Sequence, residues 1–223
     1  MPSWVEPVAR YMATEGLTLT LKIAAFSVVV SAVVGIVLGT LLTIRWLPIR
    51  APIRLYIEIW RGLPIIVTIF IIYFSLPELK LRFSAWVAAA VGLALWGSAQ
   101  IAEATRGAVQ SIPREQHEAA AALGFGWLGR HVFVIVPQAL RRLLPPAVSL
   151  LVNIIQNSTL AAIIGAVELL KAGQIQVEGL RLPQPIGIGE DHSFEIYGAV
   201  MLAFFVISFP LTRLAAFLER RLV

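Results

Sequence analysis

The sequence predicts an all-α integral membrane protein with about five transmembrane helices, because three features agree. Hydrophobic residues fill 58% of the 223 positions and charged residues only 14%, more apolar surface than one soluble core accommodates. The apolar residues gather in charge-poor stretches near the ~20 residues a helix needs to cross the hydrocarbon core. Arginine and lysine concentrate beside alternate ends of those stretches, which fixes an orientation.

The expected spans are 18–44, 56–77, 83–106, 143–168 and 195–216. In the first, Lys22 lies close enough to the helix end to reach the interface with its ammonium group. Residues 1–16 mix Glu6, Arg10 and Glu15 with apolar residues, and the first long apolar run has no small-residue cleavage site after a short apolar core, so that run is read as a span and not a removed signal. The second span carries Glu58 and Arg61, and Gly62 with Pro64 predicts a kink. The third ends near Glu103 and Arg106. Gly35, Gly39 and Gly92 permit close helix approach in a membrane bundle.

Orientation follows from the arginines. Those at Arg45, Arg50 and Arg54, from Arg106 to Arg142, and from Arg213 to Arg221 are expected inside; Arg10, Lys22, Lys80, Arg82, Lys171 and Arg181 fall outside with most of the acids, including Glu78, Glu178, Glu190, Asp191 and Glu195. The N-terminus is then external and the C-terminus cytoplasmic. Two connections exceed what hairpins need: a cytoplasmic one around Gly107 to Arg142, and an external one around Glu168 to Phe194 with Pro183 and Pro185. With no internal repeat or low-complexity tract, the simplest organisation is a single transmembrane domain over 1–223.

Several function classes are disfavoured. The net charge of +5 lies between apolar runs and not on one amphipathic face, which argues against nucleic acid as a partner. There is no cysteine, and the three histidines, His117, His131 and His192, lack ligand spacing, so no metal is expected. The chain has no phosphate-binding GxxxxGK[ST] loop, no GxSxG elbow and no HExxH pair, so it is not expected to be an enzyme.

The cytoplasmic connection, 111–138, is the most informative stretch. Glu118 to Leu123 is a run of strong helix formers stopped by Gly124 and Gly126. Ala119 to Ala122 have little bulk, so this short helix suits a groove on another protein, with Leu123, Phe125 and Trp127 as apolar anchors. On composition alone, an Ala-rich turn joining two spans remains equally open.

The spacing of Glu118, Ala119, Ala120, Gly124 and Pro137 resembles the EAA loop of ABC-importer permeases. RGLPIIVTIFIIYFSLP from Arg61 to Pro77 resembles the second-span motif of the polar amino-acid permeases. AEATRGAVQSIPREQHEAA from Ala102 to Ala120 and QNSTLAAIIGAVEL from Gln156 to Leu169 are similar to further segments of that family. The resemblance implies a type I ABC-importer fold like that of the methionine permease, set in the bacterial cytoplasmic membrane. It also implies a second permease subunit in a homo- or heterodimer, two cytoplasmic ABC ATPase subunits that bind ATP and magnesium, and an extracytoplasmic amino-acid-binding protein. On this reading Glu118, Ala119, Ala120, Leu123, Gly124, Phe125 and Pro137 couple the chain to the ATPases. No cofactor is expected in the chain itself.

Candidates for the substrate path are polar groups inside apolar stretches, where a charge costs about 2.5 to 3.5 kcal/mol on insertion scales. Glu58 with Arg61 and Glu103 with Arg106 are i, i+3 pairs, either self-neutralised near an interface or lining a pathway. Gln156, Asn157 and Ser158 supply both donors and acceptors for a zwitterionic amino acid, with Thr68 and Gln100 as helpers; helix packing is the competing role. Leu63, Thr68, Gln100 and Gln156 depart from residues common in the family, which leaves substrate specificity open. Two other functions stay in view: an ABC permease for a different small solute, and an ion-coupled secondary transporter using Glu103 as a proton site.

Overall fold

The computed structural model describes residues 2–44, 46–183 and 186–222. Arg45 and Pro185, both used above, lie outside the described residues. In chain order the helices are α1 (Val5–Leu41), α2 (Leu47–Gly62), α3 (Ile65–Leu79), α4 (Ala85–Gln110), α5 (Arg114–Ala122), α6 (Trp127–Ile164), α7 (Leu169–Arg181) and α8 (Ser193–Leu222). No strand occurs among the described residues. By length and composition α1, α4, α6 and α8 are each able to cross a membrane, and α2 with α3 passes only as a broken pair, giving four spans or up to five.

The second expected span is therefore interrupted and not merely kinked. Pro64 has no amide hydrogen to continue the ladder, and the residue before a proline is pushed out of helical geometry. Leu63 accordingly lies at φ −85° and ψ 137°, its N–H donating to the Ile59 carbonyl at 3.0 Å. α2 also begins at Leu47, well before the expected 56.

The fourth expected span, 143–168, is likewise relocated. α6 starts at Trp127, inside what was read as loop, and ends at Ile164 before Gly165. Its early part contains a π-helical turn, Arg130–Ile135, next to Pro137. Proline cannot donate to the helical ladder there, and beside it the Gln138 side chain donates to the Val134 carbonyl at 2.9 Å. The connection expected to be external, from Glu168 to Phe194, is not a bare loop either: α7 fills its first half.

Instead of a single cluster of contacts, the chain forms two compact units, each drawn from three separate stretches. No linker marks the boundary, because the sequence crosses it repeatedly. One unit comprises Met1–Ser27, Ile65–Leu93 and Asn153–Pro210. Its core joins Val8 and Met12 to Leu169, Ala172, Val177, Ile196 and Val200. A Cβ on Gly92 would stand 2.8 Å from the Ile69 side chain, so this glycine is needed where α4 meets α3.

Glu168 is fully buried in that unit and caps α7, accepting from the Leu170 N–H at 3.0 Å and the Lys171 N–H at 2.8 Å. Thr20 adds a hydrogen bond to the same carboxylate and accepts the Leu169 N–H at 3.0 Å. Burial raises the Glu168 pKa, and these bonds partly oppose that rise. Glu168→Ala orphans two partly buried amides and is expected to destabilise the protein by about 1 to 2 kcal/mol. A fall in the thermal midpoint of detergent-purified protein checks this, with an unchanged midpoint counting against the cap.

The other unit comprises Val28–Pro64, Ala94–Val152 and Leu211–Val223. Here Gly35 and Gly39 put the α1 backbone directly against α4. A Cβ on Gly35 would lie 2.6 Å from Ile101 Cβ, and one on Gly39 would collide with the Ala102 carbonyl. Ser31 Oγ donates to the Ala94 carbonyl at 3.2 Å across the same contact. Leu42, Ile57 and Ala102 form one buried cluster, and Val109, Ile112, Ile135 and Ala139 form another beneath α5.

Candidate functional site: a capped loop helix and a charged cleft

α5 starts at Arg114, four residues before the run of helix formers read from the sequence, because Pro113 presets the N-terminal turn. Its end is a Schellman motif. Gly124, at φ +83°, donates to the Ala121 carbonyl at 2.9 Å, and Phe125 donates to the Ala120 carbonyl at 3.1 Å. Only glycine adopts that conformation without penalty, which accounts for Gly124 in physical terms.

The helix is seated on one side and open on the other. Ala120 is buried, whereas Glu118 and Ala119 are exposed and Leu123 is 78% exposed. Phe125, Trp127, Leu128 and Phe133 continue this apolar surface, and Pro137 is exposed nearby. Two ties hold the segment to α6: Gln138 Nε2 donates to Gln116 Oε1 at 3.3 Å, and Arg142 Nη1 donates to the Ser111 carbonyl at 2.6 Å.

His117 sits within this seat. Burial, then the neighbouring His131 and Arg130, hold its pKa below the ordinary 6.5. The unfolded segment therefore takes up a proton at higher pH than the folded one, so stability is retained above 6.5 and lost as pH falls below it toward the depressed folded value. Amide exchange in α5 is expected to quicken on acidification through that window. His117→Gln removes the dependence, and an unchanged acid response in that variant would exclude His117 as its source.

The polar spans gather a second feature. Glu103 lies in α4 with Arg106 Nε donating to Oε2 at 3.1 Å, Arg54 Nη1 donating to Oε2 at 3.3 Å, and Arg61 Nη1 at 4.0 Å from Oε1. Arg54 also pairs with Glu58 at 2.7 Å. The expected Glu58–Arg61 pair is thus absent among the described ion pairs: α2 turns Arg54 toward Glu58 and Arg61 toward Gln100, whose Oε1 accepts at 3.2 Å. Arg61, Gln100, Glu103, Ala104, Pro146, Ser149 and Leu150 line an open cleft of about 450 Å³.

The remaining expected residues lie in the first unit. Ser158 is buried and donates to the Ile155 carbonyl at 2.7 Å, and Asn157 Nδ2 donates to the Asn153 carbonyl at 2.8 Å. These bonds to their own backbone accompany the change from α-helix to 3-10 helix at Ser158–Ile164. Gln156 is exposed and Thr68 is buried in α3. Sequence reasoning missed Arg54, Glu168 and His131; an acid within an apolar run was the available signal for Glu168, whereas Arg54 and His131 acquire meaning only from distant partners.

Residues 31–223 match the binding-protein-dependent transport system inner membrane component family. The chain belongs to this family. It is accordingly a permease subunit of a binding-protein-dependent ABC importer, spanning the bacterial inner membrane several times. It is 37% identical to the probable amino-acid ABC transporter permease protein YckA of Bacillus subtilis (strain 168), over 72% of this chain and 71% of that protein. It is 35% identical to the glutamine transport system permease protein GlnP of Escherichia coli (strain K12), over 93% of this chain and 91% of that protein. Among solved structures, that of an amino acid ABC transporter with histidines superposes at TM-score 0.84 with 26% identity, covering 99% of both chains. An inward-facing MetNI methionine ABC transporter shares the fold at TM-score 0.69 and 20% identity, covering 93% of this permease subunit and 96% of that chain.

Proposed function

We propose that this permease subunit forms, with a second permease subunit, the translocation pathway for a polar amino acid. Two cytoplasmic ABC ATPase subunits bind ATP and magnesium and drive it, and an extracytoplasmic amino-acid-binding protein delivers the substrate. The observation that carries the reading is α5, a rigid Schellman-capped helix presenting Ala119, Leu123 and Phe125 outward while side chains tie it to α6. A helix so mounted passes a push from a partner into the spans without itself deforming. Glu118, Ala119, Ala120, Leu123, Gly124, Phe125 and Pro137 make up this coupling region.

The amino-acid assignment is supported by the names of the relatives and by the chemistry of the cleft. Arg61 offers a guanidinium to a substrate carboxylate, and Gln100 and Ser149 offer neutral polar groups. Glu103 organises the arginines, its oxygens being engaged by Arg106 and Arg54, which also disfavours it as the proton site of an ion-coupled transporter. Gln156, Asn157, Ser158 and Thr68 remain a second candidate surface, with Gln156 its exposed member.

The test is purification of the permease with its ATPase and binding protein, followed by ATPase assays with each polar amino acid. Stimulation by one amino acid supports the reading and identifies the substrate. A subunit that recruits no ATPase, with uptake that stops when the proton gradient collapses, would overturn it.

A further inference from the structure

His131 is only 7% exposed and lies in the π-helical turn of α6. Its Nδ1 is 2.9 Å from the Trp127 carbonyl and its Nε2 is 3.3 Å from Thr43 Oγ1, just beyond the end of α1. The ring stacks on Trp127, with centroids 4.1 Å apart, and meets His117 of α5 edge-on at 6.2 Å. One imidazole thus touches the start of α6, the seat of α5 and the end of α1, all within the same compact unit.

Hydrogen-bond accounting shows that the link to Thr43 is kept in either charge state. A carbonyl only accepts, so Nδ1 carries a proton toward Trp127. The Thr43 hydroxyl is also 2.7 Å from the Thr40 carbonyl. If it donates there, Nε2 is protonated and donates to Thr43 Oγ1; if His131 is neutral, the hydroxyl turns and donates to Nε2. In the second case the Thr40 carbonyl still accepts the Thr43 N–H at 3.1 Å. The direction of the bond reverses while the contact persists.

We propose that His131 is a positioning residue that straps the α5–α6 connection to the cytoplasmic end of α1, so that displacement of α5 reaches the first span as well as α6. The inference rests on the coupling role proposed for α5. Without the strap, α5 would still move α6 through Gln138 and Arg142, and α1 would follow only through packing.

The test uses the complete transporter, permease with ATPase and binding protein, reconstituted in liposomes, and reads ATP hydrolysed per substrate imported. His131→Phe retains an aromatic ring on Trp127 but loses both hydrogen bonds; Thr43→Val removes the hydroxyl at nearly constant shape. Each is expected to raise the ratio about fivefold, the loss of one partly buried hydrogen bond in the coupled transition, and the double variant no further than either single one. His131→Gln and Thr43→Ser, which keep a donor or hydroxyl in reach, are expected to stay within about twofold. Additive effects, or an unchanged ratio in Thr43→Val, overturn the strap. Should His131→Phe not assemble, Thr43→Val and its Thr43→Ser counterpart decide the matter alone. Glu118→Lys serves as the control: if it leaves both uptake and binding-protein-stimulated ATPase at wild type, the coupling role of α5 has failed, whereas a loss there with no change of ratio at Thr43 rejects the strap only.

Discussion

Gly39→Val is expected to leave little folded permease in the membrane. The Cβ position at Gly39 is already occupied by the Ala102 carbonyl and the Thr105 side chain, so even the first added carbon forces the backbones apart. No rotamer relieves a clash with backbone, and separation of α1 from α4 would also stretch the Ser31–Ala94 hydrogen bond. Overpacking typically costs about 1 to 3 kcal/mol, and a rigid backbone contact belongs at the upper end or beyond. In a membrane, where small residues at helix contacts provide much of the association energy, the loss is not recovered by apolar burial elsewhere. Detergent-extracted yield and size-exclusion profile measure it. Gly107→Val, on the same helix as Ala102 but at a position where an added Cβ meets nothing within 4 Å, is the matched control and is expected to yield near wild type. Equal yields for the two would show that close α1–α4 approach is dispensable.

The second large effect is functional. Glu118 is exposed on α5 and makes no ion pair among the described residues, so Glu118→Lys is expected to change stability by no more than about 0.5 kcal/mol. If α5 docks on an ATPase subunit, reversal of this charge puts an uncompensated like or unpaired charge into that contact. Uptake should fall at least about tenfold, the effect of losing a charge-assisted contact, and binding-protein-stimulated ATPase should disappear with it. The chain should still purify with normal yield. Wild-type coupling in this variant would remove α5 from the mechanism, whatever the fate of the substrate assignment.

The two predictions differ in how far the sequence foreshadowed them. Gly35 and Gly39 were expected to permit close helix approach, but the identity of α4 as the partner came from the fold. The spacing of Glu118, Ala119, Ala120 and Gly124 announced a capped helix and a family, and Gly124 indeed ends α5 in left-handed geometry. The start of α6 at Trp127 was not legible, because the apolar density of 127–142 is diluted by Arg130, His131, Arg141 and Arg142. Nor was α7 legible, since a short amphipathic helix between two spans carries neither the length nor the composition of a crossing segment.

What the sequence determined by itself is the set of properties that depend on one segment and its solvent. The length of an apolar run measured against a bilayer, the helix stop at Gly124 and a bend at Pro64 are of this kind. What only the tertiary structure decided is which polar group each polar group meets. Arg54 reaches Glu103 across 49 residues, His131 reaches Thr43 across 88, and Thr20 accepts the amide of Leu169 across 149. Such pairings depend on the distance between two segments once both are packed. In a low-dielectric interior, where an unpaired polar group is costly, that distance determines whether a charge lines a path, holds a strut or caps a helix.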